Sequence, residues 1–224
     1  MRRAAIVGPG LDFADKREGY DFYPQQTMQP FAVVDALARQ GFAPAMGATM
    51  ATFDVSPRIN QHMEAARARA AAGDGYVIQL ARDTAVEWNP NLIRYWSEFG
   101  SGIGEPVPAV PVPPAVPVTM RAVRVHPTVV RGVEPYDVNI VLQRAGGEPF
   151  DLVVATNILV YYDVFEQSLA LANIGSMLRP GGILLTNTPL FQLPSIPLTQ
   201  VGFTDVLYTR EASARDRVFW YRRD

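Results

Sequence analysis

The sequence contains no cysteine in 224 residues. This absence excludes disulfide bonds, a thiolate nucleophile and any zinc site built on cysteine ligands. Histidine is almost as scarce: His62 and His126 are the only two, and they lie far apart in the sequence. A histidine-based metal site is therefore not expected either, and the sequence predicts a protein without a bound metal.

An excess of one charge and long apolar runs are also missing. There are 20 basic and 22 acidic residues, which leave a formal net charge of -2. That balance argues against a dedicated nucleic-acid-binding protein. No apolar stretch approaches the roughly 20 residues that cross a bilayer. The first apolar run is broken by Asp12, too early for a signal peptide. We therefore expect a cytoplasmic protein without a membrane partner; the oligomeric state is not predicted.

The clearest pattern that is present lies in residues 150–187 and predicts a strand, a helix and a second strand. Residues 151–155 and 183–186 are short apolar runs typical of a parallel sheet that is covered on both faces. Asp163 is followed three residues later by Glu166, a capping-box pattern that predicts a helix start. The Pro-Gly-Gly sequence before the second strand ends this helix. The predicted apolar face of the helix comprises Val164, Leu171, Ile174 and Leu178.

The start of the chain predicts a second strand and turn. Residues 4–7 form a compact apolar run that leads directly into Gly8-Pro9-Gly10, and such turns bind ligands at the carboxyl end of a sheet. Residues 50–53 predict a further strand, which ends in Asp54. A carboxylate at that position can accept hydrogen bonds from both hydroxyls of a ribose. Alternatively, Asp54 is only an acid at a helix start, where the helix dipole stabilises it.

The segments that follow these two strands predict a loop and two helices. Residues 11–26 are polar and contain Phe13, Tyr20 and Tyr23, which indicates either a lid over the site or a solvated surface excursion. Thr27 is the predicted N-cap of the next helix, which Gly41 ends. A second helix begins at Ser56-Pro57 and ends at Gly73. The predicted buried face of this second helix comprises Ile59, Met63, Ala66 and Ala70.

The middle of the chain predicts an insertion within a single domain. Residues 76–80 form a probable third strand, and an insertion or cap at 84–120 follows, with an aromatic-rich helical segment near residues 90–99. Its Pro-dense part, residues 105–118, predicts an extended connector, or alternatively a peptide ligand for aromatic grooves. The chain then returns through residues 121–125 or 139–143, either of which is a candidate strand. Residues 203–209 and 217–221 predict a terminal antiparallel pair.

These residues carry a resemblance to a known family. A strand that ends near Asn157, a helix that closes in Leu-Arg-Pro-Gly-Gly and an Ile-Leu-Leu strand resemble class I S-adenosylmethionine-dependent methyltransferases. The segment around Asp151–Asn187 is particularly similar to protein-glutamate methyltransferases of the chemotaxis type. The resemblance implies an α/β fold: a Rossmann-like three-layer αβα sandwich with a mostly parallel sheet and a C-terminal antiparallel strand pair. Ile6 stands where the glycine motif usually has an acid, and Asp12 stands in its third glycine position.

The resemblance also implies a cofactor and a set of site residues. S-adenosylmethionine would contact Gly8, Gly10, Asp12, Asp54, Val55 and Asn157. Asn157 and Tyr161 are the catalytic candidates, with a small-molecule acceptor. Tyr162, Asp163 and His126 are further candidates for a base, if the acceptor must lose a proton.

Two other functions stay open. An NAD(P)-dependent oxidoreductase is weakened because Phe13 replaces the third glycine of the dinucleotide motif. A non-catalytic binding module on a degenerate methyltransferase fold is supported by the missing acid at Ile6.

Overall fold

The computed structural model describes residues 1–12, 22–44, 47 and 49–224. In these ranges the chain forms a seven-stranded sheet and a separate three-stranded sheet. Residues 13–21 of the predicted lid, including Phe13 and Tyr20, lie outside the described residues, whereas Tyr23 is buried. The elements are β1 Arg3–Val7, α1 Gln29–Arg39, β2 Thr49–Asp54, α2 Pro57–Ala71, β3 Tyr76–Asp83, α3 Pro90–Glu98, β4 Gly104–Val107, β5 Val118–Val125, α4 Pro127–Arg131, β6 Val133–Asp137, β7 Phe150–Val154, α5 Val164–Met177, β8 Leu178–Thr186, β9 Leu198–Leu207 and β10 Arg215–Arg223.

The large sheet has the strand order β6-β2-β1-β7-β8-β10-β9. The first five strands run parallel to their neighbours, and β10 is antiparallel to both β8 and β9. β10 pairs Phe219 with Thr186 of β8, so the β9–β10 turn lies at the edge where the parallel strands end. The mostly parallel sheet with its C-terminal antiparallel pair is therefore confirmed.

Alternate residues of the parallel strands point to two separate apolar cores. Ile6 and Leu152 face one core, which α1, α2, α4 and the small sheet cover. Ala5 and Val153 face the other core, which α5 covers. The strands are apolar on both faces because both faces are covered. This arrangement confirms the predicted three-layer αβα sandwich.

The predicted third strand is confirmed as β3, and it lies in the small sheet. β3 pairs antiparallel with β5 in the small sheet, and β6 takes the place beside β2. The pattern of β3 accounts for this placement: Tyr76, Ile78 and Leu80 face the core, whereas Val77 is exposed on the opposite side. Such alternation is typical of a strand with one open face rather than of the centre of a parallel sheet.

The second candidate strand, residues 139–143, forms a turn. The side-chain oxygen of Asn139 accepts hydrogen bonds from the backbone N–H groups of Val141 (3.0 Å) and Leu142 (3.3 Å). An asparagine that binds the backbone in this way competes with a strand ladder. Residues 121–125, the other candidate, do form a strand, but they lie within β5 of the small sheet.

The inserted segment is hydrogen-bonded to the residues that follow β9, the last strand in the order of the large sheet. The backbone N–H of Asn89, the residue before α3, donates to the carbonyl of Tyr208 (2.8 Å), and Trp88 forms a β-bridge with Thr209. The Pro-dense residues 105–118 are not wholly extended connector, because β4 and β5 include their two ends. The first strand outside the large sheet is β3.

The predicted helix ends are right in two cases and wrong in one. Asp163 and Glu166 form both bonds of the capping box at α5. Ser56 is the N-cap residue of α2, with Pro57 in the first turn. Thr27 does not cap α1, because Met28 is the N-cap residue. The predicted face of α5 is also partly wrong, since Val164 is exposed and Leu178 begins β8.

Candidate functional site

The strand order identifies the place where a ligand can bind. From β1 the chain continues to β2 and β6 on one side, and later to β7 and β8 on the other. β1 and β7 are therefore the strands between which the order reverses, and open α/β sheets bind ligands beyond the carboxyl ends of such strands. We call this region the crevice. The residues at the strand ends around it are Gly8, Gly10, Asp54, Asp137, Asn157 and Asn187.

The glycine turn after β1 is needed for its backbone geometry. Gly8 and Gly10 have φ angles of +67° and +66°, which L side chains rarely adopt. The N–H of Gly8 donates to the carbonyl of Phe53 (2.9 Å), and a Cβ at Gly8 would lie 3.2 Å from Ile158 Cδ1. A Cβ at Gly10 would meet no atom of the described residues within 4 Å. The turn is therefore tightly packed at Gly8 and, within the described part of the chain, has free space at Gly10.

Asp54 lies at the end of β2, half-buried and held in place. Its Oδ1 accepts from the N–H of Ser56 (2.8 Å), and its backbone carbonyl accepts from Asn60 Nδ2 (3.0 Å). Burial raises the pKa of Asp54, and the backbone N–H groups of Ser56 and Val55 partly oppose this rise. The side chain of Val55 is exposed beside it. The carboxylate thus serves the local turn through backbone N–H groups.

Asn157 and Asn187 bind each other across the ends of β7 and β8. The N–H of Asn157 donates to Asn187 Oδ1 (2.8 Å), and Asn187 Nδ2 donates to Asn157 Oδ1. Asn157 has a φ of +57°, a left-handed conformation in which asparagine is enriched. Its Oδ1 is engaged, so its Nδ2 is the group it can offer to a ligand. The sequence contained a signal for Asn187, because both strands end in Thr-Asn.

The two tyrosines before α5 occupy different environments. Tyr161 ends a short 3-10 helix, and 77% of its surface is exposed. Tyr162 is half-buried; burial and the charges of Glu166 and Asp54 raise its pKa. A tyrosine is protonated near neutral pH, and burial raises the pKa of Tyr162 further, so its hydroxyl can donate a hydrogen bond.

Asp12 follows the glycine turn and pairs with Gln26, which sequence reasoning missed. Its backbone N–H donates to the carbonyl of Gln26 (2.7 Å). The side-chain Nε2 of Gln26 donates to Asp12 Oδ2 (3.1 Å), and Gln26 is almost fully buried. The chain therefore leaves the turn and returns beside it. No sequence motif marks this pair, since the partners are 14 residues apart in the chain.

His126 and Asp163 have structural roles away from the crevice. His126 Nδ1 accepts from the N–H of Thr128 (3.3 Å) at the start of α4, which leads into the amino end of β6. Asp163 caps α5. Among residues 1–12, 22–44, 47 and 49–224, no group of three or more metal-ligating side chains comes together. In the same ranges, no helix has the length and apolar character required to span a bilayer.

No protein-family model matches the sequence, and no curated protein matches it. Similar solved structures include the N-methyltransferase NodS from Bradyrhizobium japonicum WM9, with 14% identity and a TM-score of 0.45 over 99% of this chain and 85% of that one. NodS in complex with S-adenosyl-L-homocysteine has 14% identity and a TM-score of 0.46, over 99% and 78% of the two chains. Magnesium protoporphyrin IX methyltransferase (ChlM) from Synechocystis PCC 6803, with bound S-adenosylmethionine, has 11% identity and a TM-score of 0.42, over 99% and 69%. These likenesses are remote, so function must be inferred from the crevice of this chain.

Proposed function

We propose that this protein transfers a methyl group from S-adenosylmethionine to a small-molecule acceptor. The observation that carries the proposal is that two features meet at the crevice. One is the open glycine turn after β1, and the other is the fixed carboxylate of Asp54 at the end of the neighbouring strand, β2. The backbone at Gly10 leaves room for close approach by a ligand. Asp54 presents a carboxylate oxygen that can accept hydrogen bonds from a ribose diol.

The other candidate residues fit the remaining parts of the cofactor. The exposed side chain of Val55, next to Asp54, offers an apolar surface to the adenine base. Gly8 holds the turn against β2 through its bond to Phe53, so the turn is preorganised. Asn157 can donate from Nδ2 near the end of β7, and Asp12 adds a second carboxylate beside the turn. S-adenosylmethionine, when bound, supplies an activated methyl group on a sulfonium sulfur.

The contribution of the protein to such a transfer is mainly orientation. Displacement at an activated methyl carbon needs the donor and the acceptor held in line, and it needs a base only if the acceptor must lose a proton. Tyr162 stays protonated and is therefore not that base. Tyr161 is exposed at the rim of the crevice, where its ring can contact an acceptor. We assign to Asn157 and Tyr161 the role of positioning the methyl donor and the methyl acceptor.

A dinucleotide cofactor fits the crevice less well. Dinucleotide-binding folds place the pyrophosphate at the N-terminus of a helix that begins directly at the glycine turn. Here α1 begins only at Gln29, and the N–H of Gly8 already donates to Phe53. Among the residues that the structure describes, no helix adjoins the turn for phosphate binding, and we favour the methyl donor over NAD(P).

Calorimetric titration with S-adenosylmethionine, S-adenosylhomocysteine and NAD tests the proposal. We expect the first two to bind in the micromolar range and NAD not to bind. Asp54→Ala should weaken both by about 10- to 100-fold, because hydrogen bonds to a charged group are lost. The matched control is Asp74→Ala, which removes an exposed aspartate beyond the other end of α2 and should bind normally.

Two outcomes of this titration would contradict the proposal. If the wild type binds neither adenosyl compound, the methyltransferase assignment is wrong for this chain. Preferential binding of NAD would instead establish the oxidoreductase alternative. If the adenosyl compounds bind but no acceptor screen yields methyl transfer, a non-catalytic binding module is the better description.

A further inference from the structure

A cavity of about 410 Å³ lies between the start of β4, the end of β5 and the first turn of α4, and we call it the β4–α4 cavity. Its lining includes three buried aliphatic side chains, Ile103 (3% exposed), Val125 (0%) and Val129 (4%). The polar side chains of the lining are exposed at its rim. Small-molecule sites have volumes of about 300–1,000 Å³ and combine an apolar lining with a few polar groups. The β4–α4 cavity therefore has the size and the lining of a site for a small, partly apolar molecule.

Two opposite charges face each other across this cavity. Glu105 of β4 and Arg124 of β5 are direct partners in the antiparallel register, and both line the cavity. Such partners lie on the same face of a sheet, with Cβ atoms about 4.5–5.5 Å apart. Among the residues that the structure describes, neither charged head group has a hydrogen-bond or ion-pair partner. The cavity thus presents one cation and one carboxylate that do not neutralise each other by direct contact.

The donors of the cavity are held in place by local packing. The stem of Arg124 lies close against Gly75, where a Cβ would be only 2.5 Å from Arg124 Cγ, so this contact restricts the side chain. His126 also lines the cavity, and its Nδ1 accepts from the N–H of Thr128 (3.3 Å). The hydrogen of the neutral ring is therefore on Nε2, which is a donor. The guanidinium of Arg124 and the Nε2–H of His126 are thus the side-chain donors that this part of the cavity offers to a carboxylate.

The cavity and the crevice lie at opposite ends of α1. Near the start of the helix, Thr27 Oγ1 donates to the carbonyl of Pro9 in the glycine turn (3.4 Å). Gly102 lines the cavity; its N–H donates to Asp35 Oδ1 (2.9 Å), and a Cβ at Gly102 would lie 3.3 Å from Ala38 Cβ, near the end of the helix. A helix of 11 residues is about 16 Å long. A ligand in the β4–α4 cavity therefore does not compete with a ligand in the crevice.

We propose that the β4–α4 cavity binds a free α-amino acid with an aliphatic side chain. Arg124 and His126 bind its carboxylate, Glu105 binds its ammonium group, and the three buried aliphatic residues contact its side chain. A ligand with a single charge would leave either Glu105 or Arg124 without a partner, whereas a zwitterion pairs with both. This second site is independent of the proposed methyl transfer, because it lies outside the crevice and shares no residue with it.

The test compares L-leucine with molecules that each lack one of its three parts. 3-Methylbutylamine lacks the carboxylate, 4-methylpentanoate lacks the ammonium group, and L-serine keeps both charges but lacks the aliphatic side chain. Ligand-observed NMR titration of the full chain measures the four affinities at millimolar concentrations. We expect saturable binding of L-leucine and at least about tenfold weaker binding of each of the others, because each loses a charged hydrogen bond or the burial of apolar surface.

Two variants assign the two charges of the ligand to the two strands. In Arg124→Gln the advantage of L-leucine over 3-methylbutylamine should disappear, since the carboxylate loses its charged donor. In Glu105→Gln the advantage of L-leucine over 4-methylpentanoate should disappear instead. The matched control is Arg222→Gln, which removes an exposed arginine from β10 of the large sheet and should bind L-leucine as the wild type does.

Several results would overturn the inference. They are the absence of saturable L-leucine binding, equal affinities for L-leucine and the two singly charged molecules, and unchanged L-leucine binding in both Arg124→Gln and Glu105→Gln. An equal loss in Arg222→Gln would show that only the general charge of the protein is involved, and it also overturns the inference. The two variants alter different strands, so either one that remains folded by thermal unfolding suffices for the test. Titration with S-adenosylhomocysteine addresses the proposed function separately, and its failure would leave this inference intact.

Discussion

Asp151 and Asp54 lie at opposite ends of β7 and β2, the two parallel strands that flank β1, and have opposite electrostatic environments. Asp151, near the amino end of β7, accepts from the N–H groups of Arg2 (2.5 Å) and Arg3 (3.0 Å) and from Arg179 Nε (2.5 Å). Desolvation raises the pKa of Asp151, but these donors outweigh it and lower the pKa to about 2. At the carboxyl end of β2, burial instead raises the pKa of Asp54.

The difference separates an aspartate that stabilises the fold from one that is available to a ligand. The donors around Asp151 stabilise its charge, so its binding capacity is used within the protein. Asp54 is partly desolvated, and its side chain accepts only from the backbone N–H groups of its own turn, Ser56 and Val55, among the residues that the structure describes. The carboxylate of Asp54 is thus partly desolvated at the end of β2, and hydrogen bonds from a bound diol would stabilise its charged form, as expected of a functional site.

The strongest test of this comparison is Asp151→Asn. Removing the charge from a carboxylate with a pKa near 2 should lower the free energy of unfolding by about 1–2 kcal/mol, after allowance for screening by solvent around the half-exposed Arg179. Urea unfolding at neutral pH measures this loss. Binding of S-adenosylhomocysteine should be unchanged, because Asp151 lies at the other end of the strands. A loss of binding without a loss of stability would contradict the comparison, because Asp151 would then serve the ligand rather than the fold.

The same aspartate predicts how stability depends on pH. Its pKa is lower in the folded state than in the unfolded state, so its contribution is full above about pH 4. The contribution is lost as the pH falls through the folded value of about 2. Between these limits the free energy of unfolding of the wild type should fall with decreasing pH. In Asp151→Asn the fall over the same pH range should be smaller, by about 1–2 kcal/mol. Parallel curves for the two proteins would contradict the assignment.

A matched glycine pair tests the open side of the crevice. Gly10 and Gly41 both have a positive φ and free space where a Cβ would lie. Substitution of either by alanine should cost about 1 kcal/mol of stability through backbone strain alone. Only Gly10→Ala should also weaken S-adenosylhomocysteine binding, by about tenfold or more (~1.4 kcal/mol), because the methyl group occupies the ligand side of the turn. Equal binding by both variants would place the ligand away from Gly10.

The asparagine pair should give the smallest effect on stability. Asn187→Ala removes both mutual hydrogen bonds, whereas Asn157→Ala removes only the one that its Oδ1 accepts, because its backbone N–H remains. Each variant should lower stability by about 0.5–1 kcal/mol. The double variant should cost less than the sum, since the same interaction is lost. Thermal unfolding of the four proteins provides the cycle. Strict additivity would mean that the two side chains do not interact in solution, and Asn157 would then be free to rotate in the crevice.

Much of the crevice could be predicted because its residues follow strands directly. Gly8, Gly10, Asp54 and Asn157 each come at the end of an apolar run, and parallel strands bring such ends to one edge. The partners that complete the site could not be predicted in the same way. Asn187 is 30 residues from Asn157, and the buried Gln26 is satisfied by Gln79, far along the chain. Contacts of this kind depend on the packed structure rather than on local pattern.

The sheet to which β3 belongs could not be predicted for a related reason. Residues 76–80 have strand-like composition, and the local pattern does not specify which sheet a strand joins. Its partner β5 lies beyond the helix α3 and the proline-rich segment. Antiparallel pairing with β5 leaves an open edge that Gln26 occupies with its side chain. The position of β6 beside β2 then follows, because the large sheet still needs a strand there.

The position of β1 at the centre of the large sheet has a consequence for synthesis of the chain. β1 can pair with β2 as soon as the first 54 residues have emerged, but its other neighbour, β7, ends at Val154. At about 5–20 residues per second, roughly 5–20 s of translation separate the two events. During that interval one edge of β1 has no partner strand, and unpaired edges are prone to join other chains. A ribosome-bound nascent chain should therefore need chaperone cover until β7 has emerged.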